Sequence, residues 1–337
     1  MKSLTSRSGR ESMPRKYLIV APCRNEAKFV RRTLESVAAQ SELPALMIVV
    51  DDGSTDATPE ILSSYAARYD WIRIVRREDR GRRSVGPGVI EAFYAGLETV
   101  DPERFDYICK LDLDLELPVR YFQRLMDAME TNPRLGSWSG KAYFPAPSNP
   151  EGRIDGELIN EGIGDEVSVG ASKFYRTPCF RQIGGFVRQV MWDGIDCHTA
   201  RLLGWQVGSS DDPELRFVHL RPMGSSTGSI WEGRKRHGRG QYMMGTGVTF
   251  MLASAARRLL SYPVFFGSIA IVVGYLEALV SGQPRHGDTS FRKLLTRYQW
   301  ESLVMGKARA ARRVEQRHAA FWNPNLVGNA PQGQVRV

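Results

Sequence analysis

The feature that most constrains this chain is an alternation repeated through its first 130 residues: short β-rich apolar runs, each followed by a helical pattern. Lys16–Ala21 (KYLIVA) predicts a strand, and Ala27–Gln40 a helix with Phe29, Val30, Thr33, Leu34 and Val37 on one face. Ala45–Val50 (ALMIVV) is apolar on both faces, the pattern of a buried parallel strand. A helix over Pro59–Tyr69, a strand at Ile72–Arg76, a helix near Gly88–Leu97, a strand at Tyr107–Leu111 and a helix at Val119–Glu130 follow. Consecutive β-α units demand a mainly parallel sheet covered by helices, so the expected class is α/β.

From Leu135 the texture changes to Gly, Pro and Ser, with extended pieces at Gly136–Phe144 and Glu166–Tyr175. These predict an antiparallel or mixed extension of the sheet. A short helix is expected over Asp196–Gly204, strands at Trp205–Ser209 and Leu215–Leu220, and a Gly- and Arg-rich loop over Met223–Gly240. The four cysteines (Cys23, Cys109, Cys179, Cys197) form no CxxC pair, which excludes a disulfide framework and fits a reducing compartment. The first sixteen residues lack the apolar run of a signal peptide and are expected to be a disordered tail, as are residues 323–337.

Charge divides the chain. Residues 1–220 hold 29 Lys and Arg against 32 Asp and Glu, whereas residues 221–337 hold 17 against 5. An acidic front is poorly suited to tracking a phosphate backbone, so no nucleic-acid partner is expected; a basic back suits an anionic surface. Tyr262–Val280 is the most apolar window, nineteen residues with Glu277 as the single charge. As a helix it would measure roughly 28 Å, just enough to cross a bilayer core. Crossing would carry 10 Lys and Arg against 3 Asp and Glu to the far side, against the positive-inside tendency. A helix lying in the cytosolic leaflet keeps both basic flanks on one side; a buried helix of a soluble domain is the alternative. The expected organisation is therefore a catalytic part over 17–240 and a helical, basic, membrane-associated region over 241–322, at the cytoplasmic face as a peripheral or monotopic protein.

Three acidic segments fall at the C-terminal ends of predicted strands or beside a helix start, where open α/β sheets place ligands. Asp51 and Asp52, in VVDDGSTD, can accept hydrogen bonds from a base or ribose; a plain loop with helix capping is the alternative. Asp112 and Asp114, in KLDLDLE, are spaced by two and can share one divalent ion, with hard oxygens favouring Mg²⁺ or Mn²⁺. Asp193, in MWDGID after IGGF, sits at a helix start that would keep it ionised as a general base, or would merely cap the helix. His219 is either an ordinary structural histidine or a further metal ligand. Arg221, Arg234, Arg236 and Arg239 suit a diphosphate or an anionic acceptor, or a solvated basic patch.

In order and spacing these segments resemble glycosyltransferase family 2. Ala21-Pro22-Cys23-Arg24-Asn25-Glu26, VVDDGSTD, the DxD of KLDLDLELP and IGGF with its Asp-bearing helix match the four signatures, over roughly Tyr17–Leu220. The resemblance implies a GT-A fold, a nucleotide-sugar donor (UDP-sugar being commonest), a divalent metal, inversion at the anomeric carbon, and a glycan or lipid-linked acceptor. It assigns Pro22, Glu26 and Asp52 to the nucleoside with Asp51 nearby, and Asp112 and Asp114 to the diphosphate and metal; Lys110, which precedes the DxD, and Arg221 are the cationic donor-binding candidates beside them. Asp112, Asp114 and His219 go to the metal, and Asp193 becomes the base with Asp196 in reserve. Arg24 departs from the usual aromatic residue, and Trp192 from the usual Glu before the base. A sugar-nucleotide-forming nucleotidyltransferase would instead need a Gly-rich loop after the first strand, where Pro22–Glu26 stands. A non-catalytic nucleotide- or anionic-surface-binding module would use the acidic motifs only as caps.

Overall fold

A computed structural model describes residues 15–79, 81, 86–221, 230–257 and 266–326. The front of the chain runs β1 (Tyr17–Cys23), α1 (Val30–Ala38), β2 (Leu46–Asp51), α2 (Thr58–Arg68), β3 (Ile72–Arg76), α3 (Pro87–Leu97), β4 (Tyr107–Leu111), β5 (Leu115–Glu116) and α4 (Tyr121–Thr131). β1 pairs in parallel with β2 and β4, and β2 with β3, so four successive strand ends lie along one sheet edge. The register sets Cys23 beside Asp51 and Val20 beside Lys110.

Alternation along β1 explains why both faces are apolar. Tyr17, Ile19 and Ala21 join a core with Leu34, Val49, Phe122 and Leu125. Leu18 and Val20 point the other way, toward Ile48, Val50, Phe93, Phe180 and Trp205. Burial on both faces is what removes polar residues from these strands.

The second half adds β6 (Leu135–Ser139), β7 (Lys141–Pro145), β8 (Leu158–Asn160), β9 (Ser172–Arg176), α5 (Thr177–Gln182), α6 (Trp192–Leu202), β10 (Gln206–Ser209) and β11 (Arg216–His219). The main sheet has the order β10-β6-β9-β4-β1-β2-β3, with β9 antiparallel to both neighbours. β5, β11, β7 and β8 form a second, smaller sheet. The extended piece Gly136–Phe144 is therefore two strands in two sheets. The break falls at Gly140, where an added Cβ would lie 1.6 Å from the carbonyl oxygen of Leu215. Of Glu166–Tyr175 only the stretch from Ser172 on is strand, and α6 begins four residues earlier than the sequence pattern suggests.

The C-terminal region is helical: α7 (Ile230–Met244), α8 (Val248–Arg257), α9 (Phe266–Val280), α10 (Thr289–Met305) and α11 (Lys307–Arg317). The loop expected over Met223–Gly240 is, from Ile230 on, the helix α7; Met223–Ser229 lie outside the described residues. Glycine weakens an isolated helix, yet here it permits helix contact. A Cβ at Gly238 would lie 1.9 Å from the Ile271 oxygen, and one at Gly274 2.0 Å from the Lys235 oxygen, so α7 and α9 touch backbone to backbone. The boundary expected at residue 240 thus falls inside α7.

The described residues reach into both segments expected as disordered tails. Arg15 is paired with Glu42 and Asp127, and Gln182 donates to the carbonyl oxygens of Asn323 and Leu326. Of the apolar window, Tyr262–Phe265 lie outside the described residues. Within α9, Ile271, Gly274, Tyr275 and Ala278 are buried. Phe266, Ile269, Leu276, Leu279 and Val280 are exposed. No helix among the described residues is long and apolar enough to cross a membrane.

Candidate active site

The ends of β1, β2 and β4 and the start of α6 enclose a cleft of about 700 Å³. Its walls include Pro22, Glu26, Asp52, Lys110, Asp112, Asp114, Asp193, His219 and Arg221, nine of the eleven residues that the sequence singles out. Residues of α7 (Gly233, Arg236, His237) close one side, and Val167, Val169, Val190, Met191 and Trp192 supply apolar surface.

One end of the cleft is built on the β1 and β2 termini. Asp52 is buried; its Oδ1 accepts from Arg77 Nη1 at 2.7 Å and its carbonyl from Arg24 Nη1 at 2.8 Å. Arg24, which the sequence offers only as a departure, is thus a strut between the two loops, and its other nitrogen reaches Asp79. Asp51 is a correction. It does not line the cleft; its Oδ1 accepts the Ser54 N–H at 2.9 Å, which shapes the turn at Gly53 (φ +74°).

The DxD occupies the short turn between β4 and β5. Asp114 accepts two bonds from Arg221, from Nη2 at 2.7 Å and Nε at 3.1 Å, and the same guanidinium donates to Glu26 Oε1 at 2.8 Å. Lys110, nearly fully buried, donates to Asp112 and, at 2.9 Å, to the Gly170 carbonyl. Enclosure raises the Asp112 pKa, opposed by the Lys110 charge. His219 Nδ1 lies 3.1 Å from Glu161 Oε1, and Nε2 lies 3.7 Å from Asp114 Oδ1. Burial pulls this imidazole down, but Glu161 and Asp114 more than compensate, so its pKa is raised.

Among the described residues no three His, Cys, Asp or Glu side chains converge as a ready metal cage. The donor set nevertheless fits a hard divalent ion. Two carboxylates face the cleft, and an imidazole is oriented through Nδ1 by Glu161, leaving Nε2 on the Asp114 side. Mg²⁺-type ions commonly take one or two carboxylates and complete their shell with substrate phosphates. Glu161 carries no motif signal; only the fold places it against His219, 58 residues away.

Asp193 lies in the first turn of α6, with its side chain open to the cleft. The surrounding protein raises its pKa, opposed by Lys173 and assisted by the Asp196 charge. A raised pKa suits a general base better. Gly170 is pressed against it, since an added Cβ there would lie 3.1 Å from Asp193 Oδ2.

Asp196 is the second correction. It is buried and outside the cleft lining, paired with Lys173 Nζ and accepting from Tyr175 OH. Enclosed in that way, it cannot reach an acceptor hydroxyl. Of the Arg cluster, Arg221 and Arg236 line the cleft, whereas Arg239 pairs with Glu277 on α9 at 2.8 Å.

The fold and the cleft are those of an α/β protein that takes its ligand at the carboxyl edge of the sheet. Residues 18–183, just under half of the chain, match the profile of Glycosyl transferase family 2. Poly-beta-1,6-N-acetyl-D-glucosamine synthase of Staphylococcus aureus (strain COL) is 26% identical over 133 residues, 39% of this chain and 30% of that protein. Mycobacterial proteins match at 48% identity over 52 residues, 15% of each chain, so the matches span well under half the length of these relatives. The structure of S. aureus TarS 1–349 in complex with UDP-GlcNAc superposes with a TM-score of 0.53 at 14% identity, covering 91% of this chain and 92% of that one. GalNAc-T7 with UDP, GalNAc and Mn²⁺ gives 0.53 at 14% identity, covering 79% and 55%. These likenesses establish the GT-A fold.

Proposed function

We propose that the protein is an inverting glycosyltransferase that moves a sugar from a nucleoside-diphosphate donor to an acceptor hydroxyl. The observation that carries this reading is one cleft. It gathers Pro22, Glu26 and Asp52, then Lys110, Asp112, Asp114 and Arg221, and the open carboxylate of Asp193 around one space, which supports a nucleoside end, a diphosphate end and a base.

Asp193 accepts the acceptor's proton as the hydroxyl attacks the anomeric carbon from the face opposite the leaving group. Arg221, already forked onto Asp114 and Glu26, is placed to meet the charge that develops on the departing diphosphate. Asp112, Asp114 and His219 would hold Mg²⁺ or Mn²⁺, which neutralises diphosphate charge when bound. A UDP-sugar donor is in keeping with the UDP-GlcNAc held by TarS and the UDP held by GalNAc-T7.

The acceptor is a lipid-linked or surface glycan, met at the cytoplasmic face of a membrane. The exposed stripe Phe266, Ile269, Leu276, Leu279 and Val280 on α9, with Val248 and Leu252 on α8, supports an in-plane attachment. Among the described residues α9 has fifteen residues, about 22 Å, which is short of a bilayer core. The excess of 17 basic over 5 acidic residues beyond residue 220 supports attraction to anionic headgroups.

The test is a panel of UDP-, GDP-, ADP- and dTDP-sugars incubated with the purified protein and Mn²⁺. Release of free nucleoside diphosphate is expected. Pyrophosphate release would instead indicate a nucleotidyltransferase, and binding without turnover a non-catalytic module.

A further inference from the structure

The family's Glu before the base is replaced here by Trp192, and the structure shows what that ring covers. Lys110 on β4 and Lys173 on β9 are direct partners in the antiparallel register, so two ammonium groups share one face of the sheet. Like charges placed opposite one another repel, and both are almost wholly buried. Each is neutralised on a different side: Lys110 by Asp112, Lys173 by Asp196. The Trp192 ring lies over both, with Nζ of Lys110 5.3 Å and Nζ of Lys173 5.5 Å from its centroid. Phe186 packs on its edge at 4.8 Å. A ring facing two cations is attracted to both.

Lys173 does more than satisfy Asp196. Its Nζ donates to the carbonyl oxygen of Asp193 at 2.7 Å, and Cys197 Sγ approaches the same oxygen at 3.3 Å. Two residues before Asp193, Met191 holds a left-handed conformation (φ +66°), which is costly for a non-glycine residue and must be held by its surroundings. On the other side, Lys110 donates to the carbonyl of Gly170, the residue whose Cα side faces the Asp193 carboxylate.

We infer that Lys173 is a positioning residue for Asp193. Through the Asp193 carbonyl and the Trp192 ring it fixes the first turn of α6, so that the carboxylate faces the donor cleft. Asp196 serves as the anchor that holds the lysine charged and in place. This inference rests on the reading of Asp193 as the base. Lys173 touches no substrate; it acts through the backbone of the residue that does.

The experiment compares two neutral, near-isosteric double variants with the wild type, using the full chain. Lys173→Met with Asp196→Asn removes both charges and the donor to the Asp193 carbonyl. Lys173→Gln with Asp196→Asn also removes both charges but keeps an N–H donor there. Thermal melting establishes folding. Turnover is read as nucleoside diphosphate released from the panel sugar that the wild type consumes, and affinity as calorimetric binding of that nucleoside diphosphate with Mn²⁺. The Met variant is expected to lose at least tenfold in kcat with nucleotide Kd within twofold, and the Gln variant to recover a measurable part of the loss. Two variants that melt alike and turn over alike, within twofold of the wild type, would overturn the inference alone. A wild type that releases no nucleoside diphosphate from any sugar would overturn the reading beneath it.

Discussion

Removing the carboxylate of Glu315 should destabilise the catalytic half of the protein, although Glu315 lies in α11, far outside the family-matched residues. Arg201, on α6, the helix that carries Asp193, is 1% exposed. Its Nε donates to Glu315 Oε1 at 2.9 Å, and its Nη2 to the carbonyl oxygens of Glu166 and, at 3.0 Å, Val207. Arg134 Nη2 adds a bond to the Glu315 carbonyl at 3.0 Å. Glu315→Leu leaves a buried guanidinium with carbonyl partners only, and breaking such a pair from one side costs about 3–5 kcal/mol. At roughly 2 °C per kcal/mol for a unit of this size, the melting temperature should fall by about 6–10 °C. Replacing both partners, Arg201→Met with Glu315→Leu, leaves no uncompensated charge and should recover much of the loss. Thermal unfolding followed by circular dichroism measures Glu315→Leu, Arg201→Met and the double variant. A shift under about 2 °C for Glu315→Leu, or a double variant as damaged as the sum of the singles, would refute the coupling of α11 to α6.

Asp193→Asn should lower kcat by about 10²-fold with nucleotide affinity unchanged. In the wild type, activity should rise with pH through a carboxylate pKa above the ordinary range, because enclosure favours the protonated form; a pH–rate profile checks the limb. Asp114→Asn should abolish most metal-dependent nucleotide binding by calorimetry, and equal affinity with and without chelator would contradict the metal assignment. His198 is held down to about 3 by burial, with Arg201 and Lys173 adding to the effect. The folded state therefore binds fewer protons than an unfolded chain whose histidine titrates near about 6.5. Its contribution to stability is complete above that value and is lost as pH falls toward 3; His198→Phe should flatten that stretch of a melting-versus-pH curve. Phe266, Ile269 and Val280 replaced together by Ser should keep the melting temperature, since all three are exposed, while weakening salt-resistant sedimentation with anionic liposomes.

The parts of the fold legible in the sequence are those whose residues answer to a single local demand. β4 falls on the residues that its apolar run marks, because a strand buried on both faces and bounded by turn residues leaves little freedom of assignment; β3 falls on its run too, although at the sheet edge only Ile72 is buried. α7 was not legible. Its run of Gly and Arg has the composition of a loop, and only the face of α9, meeting it at Gly238 and Gly274, converts those glycines from helix breakers into contact points. The strand break at Gly140 is of the same kind, since the oxygen that forbids a side chain there comes from Leu215.

The site divides along a similar line, and the division bears on how Asp196 should be understood. A carboxylate at a strand end or helix start announces itself by position, and Asp52, Asp112, Asp114 and Asp193 all reach the cleft for that reason. Position cannot say which of two acids three residues apart faces the ligand. On a helix such neighbours lie about 300° apart in rotation, close enough that either might be chosen from spacing alone. The decision comes from β9, where Lys173, fully buried and in register with Lys110, requires a counter-charge on its own face of the sheet. Asp196 supplies it and is thereby withdrawn from the cleft, while Asp193 keeps only its backbone in that network and its carboxylate outside. A buried lysine pairs with a carboxylate because leaving the ammonium alone would cost several kcal/mol. The acid bound to Lys173 is therefore the one that cannot also take a proton from an acceptor.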